Sequence, residues 1–458
     1  MNDVFIAGYS DKLSARPGET LKFCISSQAS SDYKATLHRS ISADPNPEGP
    51  GIIEEDASAY FKPSFFPSRY QNFLPGSYGE SDENLRSLAK SEIVIKLCFM
   101  ASLITSHEQT LFDWNNFQIG LSQNGMVIAK FPGNISLSSA EPIKCQQWYS
   151  IELRLISDGH AALYLQPKLS SLSDPQKKSK IFIAAKDLFP LTIDAPIKIA
   201  TSFADNANCF NGKIEAPEIS ADNILIAQWD FSKNISSLFI EANIGPNLLL
   251  KNAPTRGVTG YKWDGTEFCW KHRPEHYAAI HFHEDDIYDF GWNTDFDFLV
   301  PDDMPSGIYI MRIETEGNYD AIPFFICPPK GNRSSDLCVL VSTFTYTVYG
   351  NHARPDFNCS WLERIKAWDA YPHNPSQYRH YGLSTYNNHS DGSGICHASH
   401  KRVLFNLRPG FSTFGNSTCS GLRHFQADSH LIAWLHNKNI NFDIITDDEL
   451  DRDGLAAI

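Results

Sequence analysis

The chain is 458 residues long, with 42% hydrophobic and 12% aromatic residues, and is too long to fold around one hydrophobic core. We therefore expect a soluble protein of about two to four domains. The formal net charge is −14 at pH 7. Nucleic acid and anionic membranes do not attract an acidic protein, so neither is an expected partner.

The N-terminal segment, the lengths of the apolar runs and the spacing of the cysteines predict a cytoplasmic location. The N-terminal segment MNDVFIAGYSDKLSARPGE has no basic region followed by an apolar one, so we expect no signal peptide. No apolar run reaches the length of about 18 residues that a transmembrane helix needs. Ten cysteines are scattered without a C-x-x-C pair, which predicts free thiols rather than a zinc motif.

The N-terminal part of the chain predicts β-strands. In KLSARPGETLKFCISS a Pro-Gly turn separates two short runs, and Leu21, Phe23 and Ile25 alternate with polar residues. Residues 88–252 continue as strand, turn, strand without a helix, a spacing typical of a β-sandwich or jelly roll. Their order resembles a laminin-G or concanavalin-like domain. The short strands predicted at 270–330 would complete the sheet begun at the N-terminus, which makes this domain an insertion.

After the linker PPKGNRSS the pattern changes to that of an α/β domain. DLCVLVSTF is a continuous apolar run of the kind that is buried in a parallel sheet. DSHLIAWLHNKN places apolar residues on one helical face, with Asp428 or Ser429 as the N-cap, and INFDIIT follows as a strand. So few strands do not complete an open parallel sheet, and we expect the domain to be incomplete.

The predicted fold class is a multidomain β plus α/β protein. It consists of an immunoglobulin-like β-sandwich with an inserted laminin-G or concanavalin-like jelly roll, followed by an incomplete α/β (parallel sheet) catalytic domain. The predicted segments are 1–87 for the first part of the N-terminal sandwich, 88–252 for the laminin-G-like domain, 253–332 for the remainder of the N-terminal sandwich, and 333–458 for the first part of the α/β domain.

Residues that can bind a metal ion concentrate in the C-terminal third. Nine of the sixteen histidines lie in residues 352–436, and Tyr346 and Tyr349 directly follow the apolar strand. Ligands bind at the carboxyl ends of strands in open α/β sheets, so these tyrosines are better candidates than tyrosines on a strand face. The alternative is a tyrosine packed by its ring with its hydroxyl satisfied. The polar loop YGLSTYNNHSDGSG adds Tyr386 and Asp391.

Tyrosine as a ligand favours a hard, highly charged ion such as iron(III). The phenol pKa is about 10, so only a strong Lewis acid removes its proton at neutral pH. Two phenolates and one carboxylate would neutralise the three positive charges of iron(III). A neutral buried site avoids the cost of isolated charge.

The segment AIHFHEDD is a second candidate metal site. His281 and His283 lie two residues apart on a predicted strand, so both rings would lie on one face. Residues 284–286 add carboxylate oxygens. The alternative is a surface turn with solvated charges.

Long strings throughout the chain resemble the large (beta) subunit of N,N-dimethylformamidase. They include GYSDKLSARPGETLKF, FNGKIEAPEI, TRGVTGYKWDG, YAAIHFHEDDIYDFGWNTDFDFLVPDDMPSGIY, VSTFTYTVYGNH, YGLSTYNNHSDGSG and FDIITDDELDRDGL. They cover nearly the full length in the expected order. We therefore identify the sequence as a member of this family.

The resemblance implies an amide hydrolase with a mononuclear iron, Fe(III), held by two tyrosines and a glutamate. It implies a small amide substrate such as N,N-dimethylformamide, split into dimethylamine and formate by an iron-activated water. It also implies a small partner subunit in a cytoplasmic hetero-oligomer. By motif position the tyrosines are Tyr346 and Tyr386, with Tyr349 as the alternative for the first.

The family's glutamate ligand lies in an H-P-E motif on the strand after DDELDRDGL. The resemblance places this glutamate, and the catalytic acid and base residues, beyond Ile458. The expected site is therefore C-terminally incomplete in this sequence. An alternative hypothesis for the function is a non-catalytic glycan- or protein-binding module built on the laminin-G-like domain. A third is a structural subunit completed in trans by a second chain.

Overall fold

The computed structural model describes residues 3–115, 117–132, 135–168, 179–184, 191–204, 208–415 and 421–457, with the backbone alone for 179–184. The described residues form mostly β-sheets with few helices, as expected for a β-rich multidomain protein. The chain divides into two compact units. Unit 1 consists of Met1–Phe73, Tyr288–Asn388 and Gly394–Ile458, and unit 2 of Leu74–Ile287 and His389–Ser393. Among the described helices, none is long and apolar enough to cross a membrane.

Unit 2 is built from two large antiparallel sheets that share one hydrophobic core. The first sheet contains, in spatial order, Ile135–Ser138, Val127–Phe131, Phe117–Leu121, Gln109–Trp114, Ile197–Ile199, Tyr78–Ser81, Leu248–Lys251 and Phe239–Ile240. The second contains Ser179–Ala184, His160–Lys168, Trp148–Ile156, Glu92–Ala101, Gly212–Ala221, Ile224–Trp229 and Ala242–Ile244, joined by Thr255–Val258 and Ala279–Phe282. A further pair is Leu85–Leu88 with Thr192–Ala195. Burial alternates strictly along Trp148–Ile156, because successive side chains of a strand point to opposite faces.

Unit 1 combines strands from both ends of the chain. One sheet contains Ile6–Ser10, Thr20–Ser27 and Phe296–Leu299, and another contains Ser14–Ala15, Asn318–Ile326, Gly307–Thr315, Tyr33–Ala43 and Ile52–Asp56, with Ser64–Phe66 paired to Tyr33–Ala43. Strands that precede residue 74 thus pair with strands that follow residue 287. Their apolar side chains form a common core that includes Phe23, Leu37 and Phe324.

The limits of the inserted unit differ from those predicted. The chain enters unit 2 after Phe73 and leaves it after Ile287, rather than at 87/88 and 252/253. Strand Tyr78–Ser81 pairs with Ile197–Ile199, and Ala279–Phe282 pairs with Gly212–Ala221, so both belong to unit 2. Strand pairing over this distance is not visible in a local sequence pattern.

The C-terminal part of unit 1 contains a parallel strand pair, Cys338–Val341 with Asp443–Thr446. The helices of this part are Thr343–Val348, Cys359–Ala367, Phe425–Asn437 and Asp447–Asp453. The third helix begins at Phe425, before the predicted N-cap at Asp428 or Ser429. The prediction of that N-cap was wrong because Asp428 hydrogen-bonds to a tyrosine hydroxyl instead of capping the helix.

A buried ion pair joins several segments of unit 1. Arg408 donates hydrogen bonds to both carboxylate oxygens of Asp320, and both side chains are almost fully buried. The same carboxylate accepts hydrogen bonds from the Tyr371 hydroxyl and the Gly8 backbone. Asp320 therefore ties strand Asn318–Ile326 to three other segments. Its pKa lies below the usual value because these partners outweigh the effect of burial.

Glu215, in the core of unit 2, generates a prediction about pH. Burial raises the pKa of Glu215 to about 7, although the Tyr261 backbone N–H donates to it at 2.8 Å. A carboxyl group whose folded pKa exceeds its unfolded value of 4.5 favours folding at low pH, and this stability is lost as pH rises towards 7. The difference in the free energy of unfolding between the protein and its Glu215→Gln variant should therefore change by about 3 kcal/mol between pH 4.5 and 7.5. Urea denaturation at several pH values measures this difference. A difference that does not change with pH would contradict the raised pKa of Glu215.

Candidate metal-binding sites

A cluster of tyrosines lies where strand Cys338–Val341 passes into helix Thr343–Val348. Tyr346, on the helix, is 1% exposed and donates a hydrogen bond of 2.5 Å to Asp428 Oδ2. Burial, followed by the charge of Asp428 and this hydrogen bond, raises the pKa of Tyr346 far above its usual value. The phenol therefore stays protonated unless a strong Lewis acid replaces its proton.

Tyr349 ends the same helix and stacks on Tyr386, with ring centroids 4.0 Å apart and an angle of 8° between the planes. The neighbouring Tyr349 side chain raises the pKa of Tyr386 above its usual value. Tyr386 is 55% exposed, so this pair of phenols is accessible from solvent. The structure thus brings Tyr386 against Tyr349, the alternative ligand, whereas the Tyr346 hydroxyl bonds to Asp428.

Positively charged and imidazole groups border the tyrosines. The Arg423 guanidinium lies 4.1 Å from the centre of the Tyr349 ring, a cation–π contact. The His424 ring lies 4.6 Å from the Tyr349 ring and 6.3 Å from the Tyr346 ring. Burial, followed by the positive charges of Arg423 and His352, lowers the pKa of His424 to about 4. His424 is therefore neutral at neutral pH.

The two segments that carry the tyrosines are held together by Arg402. Its guanidinium is 1% exposed and donates hydrogen bonds only to backbone carbonyls among its described contacts. The acceptors are the carbonyls of Gly350, Tyr381, Leu383 and Ser399. Gly350 directly follows Tyr349, and Leu383 lies three residues before Tyr386. Burial lowers the pKa of Arg402 to about 10, so the side chain is still charged at neutral pH.

The oxygen atoms of this cluster fit a hard metal ion. Tyr346, Tyr349 and Tyr386 offer phenol oxygens and Asp428, an exposed residue, offers a carboxylate, and such oxygens suit iron(III). Tyr346 and Tyr349 were predicted from their position after a strand, and Tyr386 from the polar loop and the family resemblance. Asp428, Arg423 and Arg402 were not, because only the three-dimensional arrangement brings them to the cluster.

The second candidate segment, AIHFHEDD, lies in unit 2. Strand Ala279–Phe282 and the residue that follows it place the His281 and His283 rings 4.1 Å apart. Asp286 Oδ2 lies 3.1 Å from His283 Nδ1. Residues 389–393, the tip of the polar loop, add two side chains. His389 stacks on His283, and Asp391 Oδ2 lies 3.2 Å from His281 Nε2.

Comparison with known proteins gives the family. Residues 255–458 match the family model described as N,N-dimethylformamidase beta subunit-like, C-terminal. Over 519 residues the chain is 30% identical to the N,N-dimethylformamidase beta subunit of Paracoccus aminophilus, covering 100% of this chain and 67% of the relative. It belongs to the N,N-dimethylformamidase beta-subunit family. The beta subunit from Alcaligenes sp. is 29% identical over 518 residues, again covering 100% and 67%.

Among solved structures, a heptameric SAP-like pentraxin from Limulus polyphemus matches 41% of this chain and 75% of its own. The sequence identity is 11% and the TM-score 0.24, which support no conclusion about this member of the family.

Arg402 generates a prediction about how the tyrosine pair is held in this dimethylformamidase-family chain. A lysine offers a single ammonium in place of the planar fork and cannot reach all four carbonyls. Since hydrogen bonds from charged groups contribute about 1.5–3 kcal/mol each, Arg402→Lys should lower the free energy of unfolding by about 3 kcal/mol. Chemical denaturation measures the change. The reverse exchange at the half-exposed neighbour, Lys401→Arg, should change it by about 0.5 kcal/mol or less. Equal effects of the two exchanges would refute the role of Arg402.

Proposed function

We propose that this chain is the large subunit of an amide hydrolase that splits a small N-substituted formamide, such as N,N-dimethylformamide, into an amine and formate. The observation that carries the proposal is the pair of stacked phenols of Tyr349 and Tyr386, in the same cluster as the Tyr346–Asp428 pair. Membership of the family supports it, because both relatives are named N,N-dimethylformamidase beta subunits.

The proposed metal ligands are Tyr346 and Tyr386, with Tyr349 as the alternative to Tyr346, and the proposed ion is a single iron(III). When bound, the ion supplies the Lewis acidity that activates water for attack on the amide carbonyl. Phenolate oxygens are hard donors that match its charge. The exposed ring of Tyr386 is the part of the cluster that substrate and ion reach from solvent.

The neighbouring side chains manage charge and protons. Asp428 Oδ2 lies 2.5 Å from the Tyr346 hydroxyl and would accept the proton of this phenol if its oxygen bound the ion. Arg423 lies over the Tyr349 ring and stabilises negative charge on the phenol pair. Burial and the charge of Arg423 lower the pKa of His424 to about 4, so this ring adds no positive charge to the site at neutral pH.

The proposal extends to the architecture and partners. The two sheets of unit 2 form the laminin-G or concanavalin-like jelly roll, the N-terminal sheets of unit 1 the immunoglobulin-like sandwich, and the parallel strand pair the start of an α/β catalytic domain. A small partner subunit completes a hetero-oligomer in the cytoplasm. The name beta subunit, carried by both relatives, supports the hetero-oligomer.

Iron content tests the tyrosine assignment. The purified protein loaded with iron should contain about one iron per chain and show the visible absorption of iron(III)–phenolate charge transfer. Tyr386→Phe should lose both, because phenylalanine has no oxygen to bind the ion. Whichever of Tyr346→Phe and Tyr349→Phe also loses both is the second ligand. Tyr378→Phe, a change in the same segment outside the cluster, is the matched control and should retain both.

Activity completes the test. Formate release from N,N-dimethylformamide, assayed with the partner subunit where one copurifies, should fall in parallel with iron content across these variants. Retention of iron in all three cluster variants would disprove the tyrosine site. Iron bound without formate release from any formamide would favour a binding or structural subunit over an enzyme.

A further inference from the structure

The tip of the polar loop and one strand of unit 2 bring together three side chains that the tyrosine cluster does not use. We propose that His281 Nε2, His283 Nε2 and Asp391 Oδ2 form a second metal site, which binds a divalent transition-metal ion such as zinc. The site shares no residue with the proposed iron site. All three side chains are buried, with 11%, 1% and 1% of their surfaces exposed.

The distances between the three atoms match those in a zinc site. Asp391 Oδ2 lies 3.2 Å from His281 Nε2 and 3.7 Å from His283 Nε2. Zinc is bound tetrahedrally at about 2.0–2.1 Å by nitrogen and oxygen, which places neighbouring ligand atoms about 3.3 Å apart. Two imidazoles and one carboxylate are also a ligand set that leaves a coordination position open for water or another molecule.

The directions of the atoms point to a shared partner. Asp391 Oδ2 is buried and makes no hydrogen bond among the described residues, although His281 Nε2 is 3.2 Å away. An imidazole nitrogen that carries a lone pair cannot donate to a carboxylate oxygen, so two acceptor atoms face each other here. A buried carboxylate oxygen without a hydrogen bond costs free energy, and a cation between the two atoms removes that cost.

A carboxylate behind His283 prepares its other nitrogen for a metal. His283 Nδ1 lies 3.1 Å from Asp286 Oδ2, which also accepts a 2.6 Å hydrogen bond from the Ser77 hydroxyl. An imidazole that donates from Nδ1 to a carboxylate keeps a lone pair on Nε2, the arrangement found behind metal-bound histidines. The Ser393 hydroxyl lies 2.9 Å from this Nε2 and forms a hydrogen bond with it. A metal bound to Nε2 would replace this hydrogen bond.

His281, like His283, presents a lone pair on Nε2 to the proposed site. Its Nε2 faces the Ser102 hydroxyl at 3.5 Å, a group that can donate to a nitrogen lone pair. The lone pair on this nitrogen is the donor that a metal would use. In the described part of the chain, the ion pairs possible for Asp391 are with His281 and His283, and they exist only when these rings are protonated. A bound cation therefore also balances the charge of a buried carboxylate.

A second combination, His283 with Asp286 and His389, is also close enough in space. Its geometry excludes it. The His283 and His389 rings are stacked 3.7 Å apart with an angle of only 6°, and the lone pair of an imidazole nitrogen lies in the ring plane. One ion cannot lie in two parallel planes. The His281 and His283 planes meet at 46°, so a single ion can lie in both.

Zinc binding to the purified full-length protein tests the proposal. After chelation and dialysis, the protein should bind about one zinc ion per chain, and cobalt(II) in its place should show the intense visible bands of tetrahedral coordination. His281→Gln, His283→Gln and Asp391→Asn should each weaken zinc binding by more than about 100-fold. Asp286→Asn, which leaves the three ligands in place, should weaken it by about 10- to 100-fold.

His389→Gln is the matched control, because it alters a buried histidine of the same cluster that the proposed site does not use. It should retain zinc with unchanged affinity. Tyr386→Phe should also retain zinc while losing iron, so failure of the iron site and failure of this site give different results. Zinc should raise the thermal midpoint of the protein and of His389→Gln, but not of His281→Gln.

Two results would overturn the proposal. Equal zinc binding by the protein and by the His281→Gln and Asp391→Asn variants would place the ion elsewhere, for example on exposed thiols such as Cys145 or Cys396. Loss of zinc in His389→Gln together with its retention in His281→Gln would assign it to the stacked pair. Circular dichroism of each variant identifies any that fail to fold, and for those the conservative change Asp391→Asn decides.

Discussion

The tyrosine cluster depends on one buried cation, Arg402. Its guanidinium links the backbone after Tyr349 to the backbone before Tyr386, through carbonyls on two segments that are separate in sequence. Carbonyl dipoles alone solvate its charge, since none of its described hydrogen bonds goes to a carboxylate. The guanidinium loses these bonds together if either segment moves, so the arrangement resists small displacements. Thr385 adds to it by donating from its backbone and its hydroxyl to the carbonyl of Val348. The stacked phenols are therefore held by backbone contacts rather than by each other.

Alternation and apolar runs predict the strands well, because each strand records the burial of its own side chains. Trp148–Ile156 alternates strictly. The run around Cys338–Val341 is a parallel strand, but only Val341 of its four residues is buried, so the prediction of a buried run was wrong. The limits of the inserted unit could not be predicted in the same way. They depend on which distant strand pairs with a given strand. The sequence of one strand does not identify the strand that pairs with it. The start of helix Phe425–Asn437 was misplaced for a related reason. Asp428 looks like a cap in the sequence, but its carboxylate is committed to Tyr346, and the buried Phe425 anchors the first turn.

For the candidate sites too, local sequence patterns predict individual residues but not the residues that the fold brings to them. The spacing of His281 and His283 predicts two rings on one face, since strand periodicity is local. Their carboxylate partner could not be found this way, because 110 residues separate His283 from the loop tip at Ser393. The position of Tyr346 and Tyr349 after a strand marks them as candidates, but the stack with Tyr386 depends on the fold of the intervening chain. Sequence reasoning therefore proposes donor types from local patterns and leaves their grouping open.

The composition of the polar loop fits the two metal-binding roles proposed for it. Tyr386 lies on the part of the loop that belongs to unit 1, and Asp391 on the tip that belongs to unit 2. The tip closes through hydrogen bonds from His389 to Ser393 and from Gly392 to His389. Gly392 adopts a φ of 86°, a left-handed conformation that a side chain would strain. Aliphatic residues would offer neither this turn nor ligand atoms. The two donor sets also differ in chemistry, since phenol oxygens favour a hard trivalent ion and imidazole nitrogens a borderline divalent one. One short loop can therefore supply two metal sites without the ions competing for the same ligands.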